Sequence, residues 1–345
     1  MDRKQAQTQP TLTVVVPAYN EALVLDAFHV RLMAVFDTLE AAACVLYVDD
    51  GSADDTWTVI ARLAQADARV AGLKLSRNFG KEAALTAGLD QVDADVVVVI
   101  DADLQDPPEL IPDFLEKWRE GYDVVYGQRL VRDGETWLKR ATAAAFYRIM
   151  RRLSATSIPP DTGDFRLMSR RALDALGQLR ERQRFMKGIF AWVGFKQVAM
   201  PYRRDPRYAG ASKFNYWKLW NFALEGITSF STVPLRLATY VGLVTSLAAF
   251  GFGVWIVLKT LIWGDAVAGY PSLMTVVLFI GGAQLMALGI MGEYLGRLYM
   301  EAKARPLYLL EQFHPAKAGT RAAGVGSPWP VTTAAGGPDA QDRVV

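Results

Sequence analysis

Residues 237–258, LATYVGLVTSLAAFGFGVWIVL, contain no charged side chain. Coiled at roughly 1.5 Å per residue the run is about 33 Å long, close to the roughly 30 Å hydrocarbon core of a bilayer. A second uncharged run extends from Ala266 to Gly292, with Gly281, Gly282 and Gly289 available for close helix contact. The two runs predict a transmembrane hairpin within residues 234–300, with spans at about 235–259 and 271–295. A hairpin returns both chain ends to one side. Lys218, Arg236, Arg297, Lys303 and Arg305 flank the pair, against Lys259 alone in the connecting loop. By the positive-inside rule both ends lie in the cytoplasm. The competing reading is a buried hairpin in a soluble core, where uncharged runs of this length are rarely needed.

The remaining residues must form a separate, more polar domain. Lys and Arg number 38 and Asp and Glu 36, a balance that gives no reason to expect nucleic acid as a partner. Cys44 is the single cysteine, which excludes an intramolecular disulfide and a CxxC metal site. His29 and His314 are the only histidines, too few for a multi-histidine zinc centre. Any metal must be held by oxygen. Residues 1–10, MDRKQAQTQP, form a polar tail without the apolar stretch of a signal peptide, so the domain after it is expected to begin in the cytoplasm.

The first 130 residues alternate strand and helix patterns. TLTVVVPAYN, CVLYVDDGS, VAGLKLS and DVVVVIDAD are apolar runs that stop at proline, glycine or acids. Between them EALVLDAFHVRLMAVFDTLE, TWTVIARLAQA and KEAALTAGLDQV read as helices. This predicts an α/β domain over 11–213 with a doubly wound, mostly parallel sheet, in which ligands sit outside the carboxyl ends of the strands. Three strand ends should therefore converge on one crevice: Pro17 to Glu21, Asp49 to Ser52, and Asp101 to Asp103.

Asp101 and Asp103 flank one small residue at the end of a strand. Side chains two apart share a face, so a tight turn can bring both carboxylates to one ion. With oxygen donors only, the ion would be Mg²⁺ or Mn²⁺, shared with substrate phosphates. The simpler alternative is a strand-end turn whose acids cap the helix opened by Pro107 and Pro108.

Two further segments suit a membrane surface. In WLKRATAAAFYRIMRRL, residues 137–153, the apolar and arginine-bearing positions separate onto opposite helical faces, as in an interfacial helix or an ordinary surface helix. Residues 214–233 are rich in aromatics and predict an interfacial aromatic helix ahead of the first span. Residues 301–345 read as a cytoplasmic tail, disordered from about 315 by its Gly, Pro and Ala content.

VPAYNE (16–21), VDDGSADDT (48–56), SRNFGKEAALTAGL (76–89), DADLQDPPE (101–109), TGDFRLMSR (162–170) and RYAGASK (207–213) occur in this order, with the two uncharged runs after them. Over residues 11–310 the chain resembles the polyprenyl-phosphate glycosyltransferases of glycosyltransferase family 2. That group includes dolichyl-phosphate mannose synthases and bacterial undecaprenyl-phosphate glucosyltransferases. The resemblance implies a GT-A fold and transfer of a sugar, UDP-glucose being the preferred donor, to polyprenyl phosphate at the cytoplasmic face of the inner membrane. GDP-mannose, a UDP-amino sugar or a modified pentose are the alternative donors.

The resemblance also implies roles. Pro17, Tyr19, Glu21 and Asp50 would surround the nucleoside, and Asp101, Ala102 and Asp103 would carry the donor's diphosphate. Asp101 and Asp103 would hold the metal, with Gln105 as a ligand or orienter, and Asp103 would share the catalytic role with Asp164. Arg129, Arg207 and Lys213 would lie by the diphosphate, and Arg140 would meet the acceptor phosphate, with Lys139 and Arg148 as further candidates. Asp164 matches a proposed base, or it orients the acceptor or braces Arg166; a phosphate dianion needs no proton removed. Against a processive polysaccharide synthase stands the absence of a QxxRW string. A catalytically inactive membrane scaffold is the non-enzyme alternative, and homo-oligomers through the glycine-bearing spans are a further expectation.

Overall fold

In a computed structural model of the protein, residues 9–130, 162–182, 184–203, 233–263 and 269–316 are described. The alternation expected for the first half is present: β1 (Thr11–Ala18), α1 (Ala22–Phe36), β2 (Ala42–Asp49), α2 (Thr56–Ala66), β3 (Val70–Leu75), α3 (Lys81–Asp90) and β4 (Val96–Val99). β1 runs parallel to both β2 and β4, and β2 runs parallel to β3. Strand alternation sends Val14, Val16, Val96 and Val98 to one face and Val15, Val97 and Val99 to the other. The first face is covered by Phe28 and Leu32 of α1 and by Phe114 of α4 (Ile111–Arg119). The second is covered by Leu85 of α3, Leu173 of α5 (Arg170–Gly177) and Ile189 of α6 (Met186–Trp192). A sheet covered on both sides needs strands apolar on both sides, and VVVV in β4 is such a strand.

The sheet is mostly parallel, as expected, and its antiparallel pairings come with the strands after β4. β5 (Val124–Arg129), β6 (Thr162–Ser169) and β7 (Gln197–Tyr202) extend the sheet, and β8 (Leu310–His314) closes its other edge, in the order β7-β5-β6-β4-β1-β2-β3-β8. β6 lies between β4 and β5 and is antiparallel to both, while β5 and β7 are parallel. The sheet is therefore mixed, with a parallel centre. The antiparallel entry of β6 places its first residues beside the residues that follow β4.

α7 (Val233–Trp263) and α8 (Tyr270–Ala302) pack against each other, with 31 and 33 residues. At roughly 1.5 Å per residue they are about 46 and 50 Å long, more than a bilayer core. Tyr240, Val244, Phe250, Trp255, Leu285 and Leu295 are exposed on them. Among the described residues, no helix is long and apolar enough to cross a membrane. The two expected spans are thus matched by helices at those positions, and a crossing is not itself observed. Among the described residues, a Cβ added at Gly281, Gly282 or Gly289 would meet nothing within 4 Å.

The expected tail contains a strand. β8 pairs antiparallel with β3, and Trp57 of α2 stacks on His314 with ring centroids 5.4 Å apart and donates to Gln312 Oε1 at 2.9 Å. Tyr308 donates to Asp90 at 2.8 Å, and the main-chain amide of Arg182 donates to Glu301 at 2.6 Å. The chain that leaves α8 is thereby tied back to the sheet. The expected interfacial helices at 137–153 and 214–233 lie outside the described residues, apart from Val233 at the start of α7, as does the tail from 317 onward.

Candidate active site

β1 has β2 on one side and β4 on the other, so the sheet's topological switch point lies between β1 and β4, and ligand crevices form outside the carboxyl ends of such strands. Two non-glycine residues with left-handed backbone stand at those two ends, Asn20 (φ 55°) after β1 and Leu104 (φ 59°) after β4. Asn20 tolerates the conformation and uses it: its amide donates to Ser52 Oγ at 3.0 Å and its Oδ1 accepts from the Ala53 amide at 2.9 Å. A branched leucine has no such compensation. Strain of this kind is kept where the surroundings require the turn.

The end of β2 is a brace. Asp50 accepts from the amides of Phe79 and Gly80 at 2.7 and 2.9 Å, and Asp49 accepts from Ser52 N at 3.1 Å. Burial pushes the Asp50 carboxyl up while those amides pull it down. Gly51, at φ 64°, sits where a Cβ would come 2.3 Å from the main chain of Arg77, so only glycine lets the two loops touch. Pro17, one residue before the end of β1, pairs opposite Val48, Tyr19 is 41% exposed at the rim, and the Glu21 amide donates to Thr56 at 2.9 Å.

The end of β4 carries the charges. β4 and β6 pair in the antiparallel register Val96↔Ser169 to Val99↔Arg166, and the same register carried two residues further sets Asp101 opposite Asp164. Between them stands Lys81, the first residue of α3. Its Nζ lies 2.6 Å from Asp101 Oδ1, 2.8 Å from Oδ2 and 2.5 Å from Asp164 Oδ2. Although so close to the ammonium, the enclosed Oδ1 of Asp101 has no hydrogen bond of acceptable geometry. Burial pushes Asp101 up against the pull of Lys81. Burial also opposes ionisation of Asp164, but Lys81, then Lys187 and Arg166, outweigh it and hold Asp164 well below the usual carboxylate range.

Around this pair lie Glu82 and Lys187, which the motifs did not single out, together with Arg166 and Arg129, which they did. Glu82 is pushed up to about 8 by burial and then by the Asp164 charge. Burial lowers Lys187. Arg166, 5% exposed, donates to the Gly163 carbonyl at 2.9 Å, lies 3.7 Å over the Phe190 ring, and is lowered by burial to about 10. It is thus braced by main chain and ring, and the Asp164 side chain goes to Lys81. Arg129 lies over Gly163, donates to Tyr202 Oη at 3.3 Å and stands 3.8 Å from Asp106, with Tyr202 donating to Asp106 in turn.

Asp103 accepts from the Gln105 amide at 3.1 Å, and Ala102 between the two acids is buried. The Gln105 Oε1 is buried without a hydrogen-bond partner. Among the described residues no group of three or more His, Cys, Asp or Glu is placed to hold a metal ion. Gln105 Oε1, enclosed and without a donor, and the Asp101 carboxylate, whose present partner is the movable Lys81 ammonium, suit a hard cation whose remaining ligands come from phosphate and water. Arg140, Arg207 and Lys213 lie outside the described residues.

A mostly parallel mixed sheet covered by helices on both faces, with acids and cations gathered at its switch point, is a GT-A-like α/β fold. Residues 13–177 match the family described as glycosyl transferase family 2, and residues 233–298 match the GtrB C-terminal hairpin. An uncharacterized glycosyltransferase of Synechocystis sp. is 51% identical, with 87% of this chain and 94% of that protein covered. A prophage bactoprenol glucosyl transferase homolog of Escherichia coli is 47% identical over 87% of this chain and 98% of its own length. Among solved structures, glucosyl-3-phosphoglycerate synthase from Mycobacterium tuberculosis, in complex with Mn²⁺, UDP and glucosyl-3-phosphoglycerate, is 21% identical over 64% of this chain and 78% of that one, with a TM-score of 0.41. This chain belongs to glycosyl transferase family 2 and carries the GtrB-type hairpin at its C-terminal end.

Proposed function

We propose that the protein transfers a glucosyl unit from UDP-glucose to polyprenyl phosphate, with undecaprenyl phosphate as the acceptor, on the cytoplasmic face of a bacterial inner membrane. The observation that carries this reading is the meeting of Asp101 and Asp164 on Lys81 at the switch point. It is supported by relatives named bactoprenol glucosyl transferases at 46–47% identity. In this reading α7 and α8 cross the bilayer, supported by their exposed apolar side chains and the family match of the hairpin.

Pro17, Tyr19, Glu21 and the braced Asp50 line the nucleoside side of the crevice. Asp101, Asp103 and Gln105 would hold Mg²⁺ or Mn²⁺, which would supply positive charge to the donor's diphosphate. Ala102 leaves room for the donor beside them, and Arg129, Arg207 and Lys213 add fixed positive charge where the leaving group gains negative charge, so they favour the transition state over the ground state. Arg140 takes the acceptor phosphate, for which a planar guanidinium is well shaped.

An oxygen of the lipid phosphate attacks the anomeric carbon as its bond to the nucleoside diphosphate breaks, with inversion. The phosphate, with a second pKa of about 6, is already a dianion near neutrality and yields no proton. Asp164, held ionised by Lys81, is a weak base and a good anchor, so it orients groups in the crevice. The hairpin keeps the crevice at the surface where the acceptor resides, which confines the search to two dimensions.

The test is a donor panel with the full-length protein, undecaprenyl phosphate and Mg²⁺ or Mn²⁺, reading lipid-linked sugar by mass. A hexose added from UDP-glucose is expected. Preference for another donor would correct the sugar, and no product with any donor would favour a scaffold.

A further inference from the structure

The side chain that joins the two carboxylates belongs to neither acid motif. Lys81 opens α3, with Gly80 at φ 97° turning the chain into the helix. A cation is disfavoured at that position, because the helix already presents its positive end there. Compensation comes from outside the helix, from Asp101 and Asp164. Both oxygens of Asp101 lie within 2.8 Å of the ammonium, so another cation arriving at this carboxylate must share it with Lys81 or expel it. The Lys81 side chain keeps 45% of its surface accessible, and its four-carbon stem allows the ammonium to swing.

We propose that Lys81 is a tethered counter-cation, a positioning residue that competes with the divalent ion for Asp101 and, once the ion and the nucleoside diphosphate are bound, stays on Asp164 beside the phosphates. This rests on the proposed role of the crevice in binding a nucleotide sugar. Before the donor arrives, Lys81 holds together two carboxylates that would repel each other across the β4–β6 register. Afterwards it contributes a positive charge next to the leaving diphosphate without a further ligand having to bind.

Removing a competing charge from a carboxylate strengthens the binding of the ion that replaces it, whereas loosening a site weakens binding. The two cases are separated by Mn²⁺ titration of the full-length protein in detergent with UDP present, following free Mn²⁺ by electron paramagnetic resonance. In Lys81→Met, which keeps the stem and removes the charge, Mn²⁺ should bind about tenfold more tightly while turnover falls about tenfold or more. Lys81→Arg keeps the charge and should bind Mn²⁺ within about twofold of the wild type. Unchanged or weaker Mn²⁺ binding in folded Lys81→Met, with the wild type binding normally, overturns the inference alone. Should that variant not fold, an Arg variant that binds Mn²⁺ about tenfold more tightly overturns it instead. Absence of Mn²⁺ binding to the wild type overturns this inference and the metal site together.

Discussion

At the end of β2, Asp49 and Asp50 accept hydrogen bonds from the main-chain amides of Ser52, Phe79 and Gly80; at the end of β4, Asp101 faces the flexible ammonium of Lys81. Both clusters stand at the carboxyl ends of strands in the parallel centre of one mixed sheet, and both are acids after apolar strands. Fixed amides cannot follow a ligand in and out, so the carboxylates they satisfy hold loops in place. A lysine can move, so the carboxylate it satisfies remains available to an ion. What separates a brace from a binding site is the mobility of the partner.

The comparison breaks or holds first at Asp101. Asp101→Asn removes the charge needed for an ion while preserving shape, and turnover should fall at least about 100-fold with little change in thermal unfolding. An unfolding midpoint that drops as far as activity would make Asp101 a brace after all. Asp50→Ala should show the reverse pattern. Two amides lose a charged acceptor, each such bond contributing about 1.5–3 kcal/mol, so chemical denaturation should report a loss of about 3–6 kcal/mol with a smaller fall in turnover per folded molecule. If donor KM rises sharply while stability is kept, Asp50 contacts the nucleotide directly.

How much of this could be read from residues alone depended on distance along the chain. VVVVIDAD announces a buried strand and its acids because strand, turn and carboxylates are contiguous, and Pro17, Gly51 and Asp101 fall where local rules put them. Asp164 is 63 residues from Asp101 in the sequence, and their meeting needs the antiparallel entry of β6, which no local pattern encodes. β8 was hidden for a similar reason: LEQFH carries weak strand periodicity, and its pairing with β3 is set by where α8 delivers the chain. Lys81 did leave a signal. A lysine at the first position of a helix opposes the helix dipole even where, as with Glu82 here, the next residue obeys it, and a local rule broken in this way marks a site.

The next expected effect is smaller and concerns Asp164. A base must be able to accept a proton near working pH, and a carboxyl held well below its ordinary range does so poorly. Asp164→Asn should therefore lose about tenfold in turnover through misplacement of Lys81, with no recovery at alkaline pH. Recovery as pH rises would restore the base reading.

The smallest effect belongs to Glu82, next to Lys81 on α3 and close to Asp164 and Lys187. Its carboxyl is pushed from an ordinary 4.5 up to about 8, so between those values the native state holds a proton that the unfolded chain releases. The unfolded state then binds fewer protons, and stability must fall as pH rises through that window and level off above about 8. Glu82→Gln cannot release the proton and should remove this part of the slope, so its unfolding midpoint gains on the wild type as pH approaches 8. Turnover should change no more than a few-fold, because Gln keeps the shape beside Lys81. Identical pH dependence of unfolding in wild type and Glu82→Gln would mean that Glu82 is ionised at neutral pH and paired with Lys187. The crevice would then hold one more fixed negative charge, and Lys81 would be shared among three carboxylates where the present arrangement gives it two.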